Sequence, residues 1–424
     1  MKRSLGLFDV TCLGVNAIIG SGIFALPDDL YREMGGLSPL AFLLCAVGLT
    51  PIALCYAEAA SMTERSGGPY VYAGEAFGAE TGFVVGWMCF VNSLFSFAAV
   101  AAIAAAYLGK FVPGIEGVDG EATTRAVAAG IIAAFAALNY FGAKPGARVT
   151  DAFTLAKVAV LVLLVVAALP AVEPSRLAAP LPHGAVGIGA GTFLALFAAQ
   201  GFEVAPVPAG ETCETRRNMP IAIIASLLLS SAIYVVVQIV VVGAHAGLGA
   251  ATDTPLVDAA LRVAPALGAV VLAGGLISTL GFVSGNALGT PRYAFAAAQD
   301  GYLPRWLAAV SPRFDSPTRA IVVTAALAGV MTLAFDYRRL VGMSNVTVAV
   351  QYLATCLAVL VLRRFRPDAK RSFRAPGGAL VPLSGAAVSV WIFTEGSPTE
   401  ILFAVGALAI GVAIATISRR AAKA

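Results

Sequence analysis

Apolar runs of about 20 residues, each long enough to cross the ~30 Å hydrocarbon core of a bilayer, recur along the whole chain and limit its possible folds. Only 12% of the 424 residues are charged, against about 25% in soluble domains. The sequence therefore predicts an all-α polytopic membrane protein. The twelve predicted spans are residues 8–31, 38–62, 81–109, 123–141, 149–170, 187–209, 219–243, 264–296, 317–335, 340–362, 378–394 and 399–417.

The distribution of Lys and Arg among the loops predicts an orientation, because cytoplasmic loops carry an excess of both residues. With the N-terminus in the cytoplasm, 20 of the 28 Lys and Arg residues lie on that side, seven lie opposite, and Lys157 lies within a span. This bias predicts a multi-pass protein of the plasma (inner) membrane with both termini cytoplasmic. The net charge of +4 follows from the excess of Lys and Arg in the cytoplasmic loops and does not indicate a nucleic-acid partner. The expected surroundings of the protein are the lipid bilayer.

Two of the spans contain residues that interrupt a helix. The first includes GVNAIIGSGIFALP at residues 14–27, in which Gly20 and Gly22 each cost a helix interior about 1 kcal/mol relative to alanine. The sixth reads GIGAGTFLALFAAQGFEVAPVPAGE, where Gly201 is followed by two prolines that each lack a backbone donor. Gly and Pro are also frequent in membrane helices that simply pack closely, so either interruption alone would mean little.

The two interruptions lie about 180 residues apart and each opens a block of five spans, a pattern typical of secondary transporters with inverted repeats. We therefore expect a first repeat at residues 1–170 and a second at 171–364. Residues 365–424 would supply two additional spans and the C-terminus.

The chemistry of the two breaks selects a ligand. Unpaired backbone groups at membrane depth are tolerated where they line a cavity. The second half of span one begins near Gly20, and the N-terminus of a helix attracts an anion such as a carboxylate. The first half of span six ends near Phe197 to Gln200, where free carbonyls attract a cation such as an ammonium. An α-amino acid carries both charges on neighbouring atoms, so we expect one to bind between the breaks.

Four stretches of the sequence carry a family resemblance. They are IIGSGIF in span one, ALCYAEAASMTERSGGPYVYAGEAFG from span two into span three, FAAQGFE…GETCETRRNMPIAI around span six and RYAFAAAQDGYLP after span eight. In these stretches the chain resembles the amino acid-polyamine-organocation (APC) family of transporters. The resemblance implies a LeuT-type fold, in which two inverted five-helix repeats are followed by two additional helices.

The resemblance also implies the residues of a substrate site. The backbone amides that would hold the carboxylate are those of Gly20, Ser21 and Gly22. The carbonyls that would accept the ammonium are those of Ile18, Phe197, Ala198 and Gln200, next to the break at Gly201. The ring of Phe197 would form an aromatic gate over the substrate. Asn16, one turn before the first break, either faces the same cavity or hydrogen-bonds to a neighbouring helix.

Lys157, within FTLAKVAVLVLLVV, is an ionisable residue inside a predicted span. In similar proteins a lysine at this place replaces a sodium ion that other relatives bind between the broken first helix and the eighth. The resemblance thus implies that Lys157 bridges these helices, through Ser278 or Thr279, and makes transport independent of sodium. A second interpretation stays open, in which the side chain snorkels to the membrane interface.

Glu203 is the second ionisable residue inside a span, where an ionised carboxylate is costly. In similar proteins an acidic residue after this glycine has been assigned to proton sensing or gating. Glu203 could instead pair with a cationic substrate side chain, or accept hydrogen bonds from amides exposed at the break. At the cytoplasmic ends, Glu58 and Glu211 are expected to form gating ion pairs. Their candidate partners are Arg65, Arg216 and Arg217.

Together these features favour a secondary active amino acid transporter that works by alternating access and is driven by protons or by exchange. An amino acid/amine antiporter or a polyamine carrier is the alternative, although the expected pocket is apolar and small-sided, with Ala198, Ala199, Phe197 and Phe202. An integral-membrane enzyme or a channel is less consistent with the sequence, which has neither a nucleophile–base pair nor a polar stripe through several spans. We expect no catalytic residues, cofactor or metal, because the six cysteines lack metal-ligand spacing.

Overall fold

The computed structural model describes residues 5–65, 67–112, 122–140, 147–207, 209–252, 254–314 and 316–423. Within these ranges the chain is helical, and the strand-like pairing there is limited to an isolated bridge between Leu5 and Thr212. Apolar runs of this kind form helices because a bilayer offers no water to unpaired backbone groups.

The helices follow one another along the chain with short connections. Up to residue 177 they are α1 (Leu7–Ile18), α2 (Gly22–Ala25), α3 (Pro27–Met34), α4 (Pro39–Met62), α5 (Pro69–Phe77), α6 (Ala79–Gly109), α7 (Ala122–Tyr140), α8 (Ala147–Ala168) and α9 (Pro174–Leu177). From residue 184 they are α10 (Gly184–Ala199), α11 (Thr215–Ala244), α12 (Pro255–Val263), α13 (Pro265–Gln299), α14 (Thr318–Ala334), α15 (Tyr337–Phe365), α16 (Leu380–Glu395) and α17 (Pro398–Lys423).

Each predicted span corresponds to a helix, and span one corresponds to the series α1, α2 and α3. Among the described residues, ten segments are long and apolar enough to cross a membrane, whereas α14 and α16 are apolar but shorter. The prediction of a polytopic membrane protein is therefore confirmed. Span six was predicted to continue to residue 209, but its helix α10 ends at Ala199.

Proline and glycine set several helix boundaries. Helices α3, α4, α5, α12 and α13 begin with proline, whose missing N–H is not needed in a first turn. The junction between α5 and α6 is Gly78, with φ of 98°, a backbone conformation that side chains larger than that of glycine rarely adopt. These residues fix where each helix starts, and thus which side chains reach the interior.

Helix α6 forms the centre of the molecule. Between Met88 and Tyr107 every residue of this helix is buried except Ser93 and Ser96. A helix that is apolar on all sides belongs in a protein interior, surrounded by other helices. Helices α13, α14 and α15 pack directly against it, so α6 supports the walls of the site described below.

The broken segments lie side by side. Helix α1 packs against α8 and α11, while α10 packs against α4 and α15. The main chain at Ala17 approaches Gly201, and the main chain at Ala198 approaches Gly22. The break in the first span and the break in the sixth span are therefore in direct contact.

Candidate functional site

A cavity of about 140 Å³ lies at the two breaks and extends between α6 and α13. Most of the predicted site residues line it, namely Ile18, Gly20, Ser21, Gly22, Phe197, Gln200, Gly201 and Glu203. The predicted residues that are absent from its walls are Lys157, Ala198, Ser278 and Thr279. The predicted break residues are thus brought together, and the remaining four lie outside the cavity lining.

The break in the first span exposes a set of backbone amides. The helix stops at Ile18, and the Gly20 N–H turns back to donate to the Ile18 carbonyl at 2.8 Å. It resumes at Gly22, so the N–H groups of Ser21, Gly22 and Ile23 have no hydrogen-bond partner within the described residues. The free amides are therefore shifted by one position from the predicted set: Gly20 is already bonded, and Ile23 takes its place. The Ser21 hydroxyl, in a residue that is 1% exposed, also has no partner among the residues that the structure describes.

The Ile18 carbonyl has two donors of its own. Besides the Gly20 N–H, it accepts a hydrogen bond from the hydroxyl of Tyr234 on α11 at 2.8 Å. A carbonyl oxygen has two lone pairs, so both are used in this structure. An ammonium at Ile18 would have to displace one of these donors, and the geometry does not favour the predicted role of this carbonyl. Tyr234 was not predicted as a partner of the break, although it is a polar residue within the apolar run of α11.

The break in the sixth span frees a carbonyl. Helix α10 ends at Ala199, and Gly201 adopts φ of 128°. The Gly201 N–H donates to Glu203 Oε2 at 2.9 Å, so it is not available to the Phe197 carbonyl that a continuing helix would pair with it. The carboxylate of Glu203 thus stabilises the break on one side and leaves the helix carboxyl end open on the other.

Glu203 is also held by an aromatic cluster. Its Oε2 accepts a second hydrogen bond from the Tyr352 hydroxyl at 3.0 Å, and Tyr352 stacks on Phe202 with ring centroids 5.4 Å apart. Phe202 is fully buried in this stack and does not line the cavity, and neither does Ala199. Of the four residues expected to form an apolar, small-sided pocket, Phe197 lines the cavity, whereas Ala198, Ala199 and Phe202 do not.

Helices α1, α6 and α13 also contribute polar side chains to the cavity walls. These are Asn16, Asn92, Ser93, Ser96, Asn286 and Thr290. Asn16 faces the cavity, one of its two predicted placements, and its Oδ1 has no partner within the described residues.

A buried polar network joins α6, α10 and α15 beside the cavity. The Gln200 side-chain amide donates to Asn345 Oδ1 at 2.6 Å, and Asn345 donates to the Phe193 carbonyl at 2.7 Å. Asn92 donates to the Ser344 carbonyl at 2.9 Å. This network fixes the residue at which α10 ends. The sequence signal for this network was the stretch GMSNVTVAVQ, which places several polar residues within the membrane helix α15.

Lys157 does not snorkel. It is fully buried, and its Nζ donates to the carbonyls of Ile19 at 2.9 Å and Asn16 at 3.3 Å. From α13, the Ser278 hydroxyl donates to the Gly20 carbonyl at 2.9 Å and to that of Ile19 at 3.3 Å. Lys157 and Ser278 therefore both contact the first break.

Thr279 differs from its neighbour Ser278. Its hydroxyl donates to the carbonyls of Gly275 and Leu276 in its own helix, both at 3.0 Å. Of the two residues that the resemblance offered as partners of Lys157, the structure thus brings only Ser278 to the break.

Aromatic and charged contacts lie at both ends of the helix cluster. The Phe197 ring meets Tyr337 edge to face at a centroid distance of 6.2 Å, and Arg338 pairs with Asp29 at 2.8 Å on the same side. Phe197 therefore lies between the cavity and this end of the molecule, where an aromatic gate was predicted.

At the opposite end Glu58 is buried, but its predicted partners are wrong. Its carboxylate pairs with Arg363 at 2.5 Å and with Arg371 at 3.5 Å. The candidates Arg216 and Arg217 pair instead with Glu64 and Glu214. A sequence pattern at the end of α4 could not identify residues more than 300 positions away, on α15 and in the segment that follows it. The side chain of Glu211 lies outside the described residues.

The architecture and the cavity define a class of protein. A polytopic membrane protein with two interrupted helices meeting at a central cavity has the features of a secondary transporter. The comparison with known proteins agrees: the family profile described as "Amino acid permease" matches residues 5–418, and the chain belongs to this family. The predicted membership of the APC family of transporters is confirmed. The family is one of permeases and not of enzymes.

Relatives in this family are named for different substrates. A methylthioribose transporter of Bacillus subtilis is 26% identical over 404 residues, which cover 92% of this chain and 88% of that protein. A branched-chain amino acid permease of the same organism is 28% identical over 411 residues, covering 93% and 87%. The vacuolar cationic amino acid transporter 4 of Arabidopsis thaliana is 28% identical over 386 residues, covering 87% and 64%. These names support transport of small molecules, and amino acids in particular, without selecting one substrate.

The close approach of the two breaks predicts the effect of adding a methyl group. A Cβ on Gly201 would lie 2.4 Å from the Ala17 carbonyl carbon, and its positive φ adds strain. A Cβ on Gly22 would lie 2.4 Å from the Ala198 Cβ. We expect Gly201→Ala and Gly22→Ala each to destabilise the protein by about 1–3 kcal/mol, Gly201→Ala the more strongly.

Thermal unfolding of the purified protein in detergent measures this effect. The matched control is Gly130→Ala on α7, where a Cβ meets nothing within 4 Å. If Gly201→Ala unfolded at the same temperature as the control, the contact between the two breaks would be refuted.

Proposed function

We propose that this protein is a sodium-independent secondary transporter that binds an amino acid at the two breaks. One observation carries the proposal: Ser21 and Gly22, whose amides have no hydrogen-bond partner within the described residues, line the same cavity as Phe197 and Gln200 at the open carboxyl end of α10. The amides present hydrogen-bond donors and a positive helix end, which suit a carboxylate. The end of α10 presents acceptors and a negative helix end, which suit an ammonium.

The carboxylate site would be formed mainly by the main chain. The Ser21 hydroxyl would add one further hydrogen bond, since it is buried and has no partner in the described part of the chain. The ammonium would use the Phe197 carbonyl, which Glu203 keeps open by accepting the Gly201 N–H. This arrangement holds the atoms that every α-amino acid shares, so selectivity among amino acids must come from other walls of the cavity.

The surroundings of Lys157 support sodium independence. Carbonyl and hydroxyl oxygens from two helices are the ligands that a small metal cation would use. Here the lysine ammonium is hydrogen-bonded to the carbonyls of Ile19 and Asn16, and Ser278 bonds the same segment of the break from α13. In the proposed cycle the protonated amine holds α1 near α8, and the Ser278 hydroxyl holds it near α13. Loss of its proton would weaken this link, and the inner end could open.

Proton coupling involves Glu203 through its place at the second break. As a carboxylate it accepts from both the Gly201 N–H and Tyr352. A proton on Oε2 would replace one of these bonds and change the support of the break. This combines two of the three roles open to Glu203, hydrogen bonding at the break and proton sensing, and needs no cationic substrate.

The proposed architecture has twelve spans, with residues 1–170 and 171–364 as inverted repeats of a LeuT-type fold. Two features support this proposal: the breaks occur in the first and sixth spans, and each break contacts the other through a glycine. Both termini would be cytoplasmic, as the distribution of Lys and Arg indicates. In a bacterial cell the protein would lie in the inner membrane.

An amine carrier is the second candidate, because Glu203 places a carboxylate in the cavity wall. However, Oε2 already has two donors, and an amine without a carboxylate would leave the free amides of the first break unpaired. Unpaired buried amides cost about 1–3 kcal/mol each, which disfavours such a ligand.

The role of Lys157 is tested by removing its charge. Lys157→Met keeps the length of the side chain but cannot donate to the Ile19 carbonyl, and we expect uptake to fall about tenfold or more. Ser278→Ala should reduce uptake less, whereas Thr279→Ala should leave it unchanged, because Thr279 bonds only within α13. Uptake is measured in proteoliposomes with and without gradients of sodium and pH. Sodium-dependent uptake by the wild type, or normal uptake by Lys157→Met, would contradict the proposal.

Glu203→Gln tests the coupling at the second break. Glutamine can still accept the Gly201 N–H through its carbonyl, so we expect substrate binding to be largely retained. It cannot gain or lose a proton, so the dependence of uptake on pH should become flatter than in the wild type. Tyr352→Phe is the control, because it removes one hydrogen bond to Glu203 without removing the titratable group. An unchanged pH profile in Glu203→Gln, with loss of cationic substrates alone, would favour the amine carrier.

A further inference from the structure

We propose that the side chain of the substrate occupies a slot between α6 and α13, formed over Gly285 and Gly289, and that this slot selects neutral amino acids with bulky side chains. The proposal rests on the proposed function, because it takes the two breaks as the site of the α-carboxylate and α-ammonium. It adds the chemical class of the substrate and the residues that set it.

One face of α13 forms the first wall of the slot. The residues on it follow helical spacing and all line the cavity: Phe282, Gly285, Asn286, Gly289 and Thr290. A Cβ added to either glycine would meet nothing within 4 Å, so both open onto free space.

Two other glycines of the same helix behave differently. A Cβ on Gly274 would lie 2.6 Å from Val160, and one on Gly275 would lie 2.2 Å from the Tyr107 ring. At those positions the absence of a side chain is explained by close helix packing. Packing does not explain Gly285, which is exposed, or Gly289, which is half-buried, and both line the cavity.

The central helix α6 forms the second wall. Ser93 and Ser96 are the residues of its middle section that are not fully buried, and both line the cavity. Small side chains therefore face the cavity from both helices. Phe282, whose ring lies 3.0 Å from the position of a Cβ on Gly20, adds an aromatic surface next to the first break.

Unpartnered polar groups at one end of the cavity indicate that a ligand completes it. Asn16 is 7% exposed, lines the cavity and has no partner for its Oδ1 within the described residues. The Ser21 hydroxyl is in the same state. Buried polar groups are normally hydrogen-bonded, so these atoms are suited to the polar end of a bound molecule. The space over the two glycines then remains for its side chain.

The charges around the cavity favour a neutral side chain. Glu203 is the ionisable acid among the lining residues, and Lys157 is buried behind the first break with the opposite charge. A zwitterionic substrate leaves this balance unchanged. A cationic side chain would bring an additional charge into the cavity, and the walls formed by Gly285, Gly289, Ser93 and Ser96 offer it no carboxylate.

The first test compares substrates with the wild-type protein. Competition against uptake of a labelled amino acid into proteoliposomes gives relative affinities for glycine, alanine, leucine, phenylalanine and lysine. We expect leucine or phenylalanine to compete about tenfold or more better than alanine, and lysine to compete poorly. Equal competition by alanine and the bulky amino acids, or preference for lysine, would overturn the proposed class while leaving amino acid transport intact.

The second test fills the slot. Gly285→Leu and Gly289→Leu should each lower the ratio of phenylalanine affinity to alanine affinity about tenfold or more. The reason is that the new leucine side chain occupies the space of the substrate side chain. Gly130→Leu is the matched control, since it also points into open space but lies on α7, away from the cavity. Leucine favours helix formation over glycine, and thermal unfolding of each variant verifies the fold.

The outcomes separate the two proposals. An unchanged affinity ratio in both glycine variants would show that the side chain does not occupy the slot, even if the wild type transports amino acids. Failure of every amino acid to bind the wild type would instead refute the proposed function. Should the leucine variants unfold, Gly285→Ala and Gly289→Ala provide smaller fillings with the same expected direction.

Discussion

Two interrupted helices expose backbone hydrogen-bonding groups in an interior that offers them little water, and the rest of the site is arranged around this constraint. At the first break, Lys157, Ser278 and Tyr234 donate to the carbonyls of residues 18 to 20 and to Asn16. At the second, Glu203 accepts the Gly201 N–H. The groups left over are amides on one side and a helix carboxyl end on the other. A ligand with a carboxylate and an ammonium is complementary to this remainder.

The same contacts suggest how binding and conformational change are connected. The donors to the first break come from α8, α11 and α13, so a change at any one of them alters how firmly α1 is held. Lys157 can lose a proton, whereas a hydroxyl donor such as Ser278 stays in place. In the proposed cycle, the close approaches between the breaks, Gly22 to Ala198 and Gly201 to Ala17, would make the two broken helices respond together. Substrate bound across both would add a further link, which is the requirement for coupling substrate movement to protonation.

The helices and the location of the breaks could be predicted from the sequence, because apolar length and Gly/Pro placement are local signals. The residues that hydrogen-bond to the breaks were harder to predict. Ser278 and Lys157 came from a family resemblance, and the hydrogen bond from Tyr234 depends on how α11 packs, which no local pattern reveals. The register of the free amides also differed by one residue, because Gly20 closes a tight turn onto Ile18. Glu58 was identified as an ion-pair residue with the wrong arginines, since Arg363 lies far away in sequence. Long-range contacts of this kind require the tertiary structure.

The account depends most directly on the claim that both charged groups of the substrate are bound by the breaks. Thermal stabilisation of the purified protein tests it with three ligands that share one side chain: the amino acid, its decarboxylated amine and its deaminated acid. A ligand that binds the folded state raises its stability by RT ln(1 + [L]/Kd). We expect the amino acid to raise the unfolding temperature and the other two to have little effect at the same concentration. Equal stabilisation by the amine would contradict the role of the Ser21–Ile23 amides, and equal stabilisation by the acid would contradict the role of the α10 carbonyls.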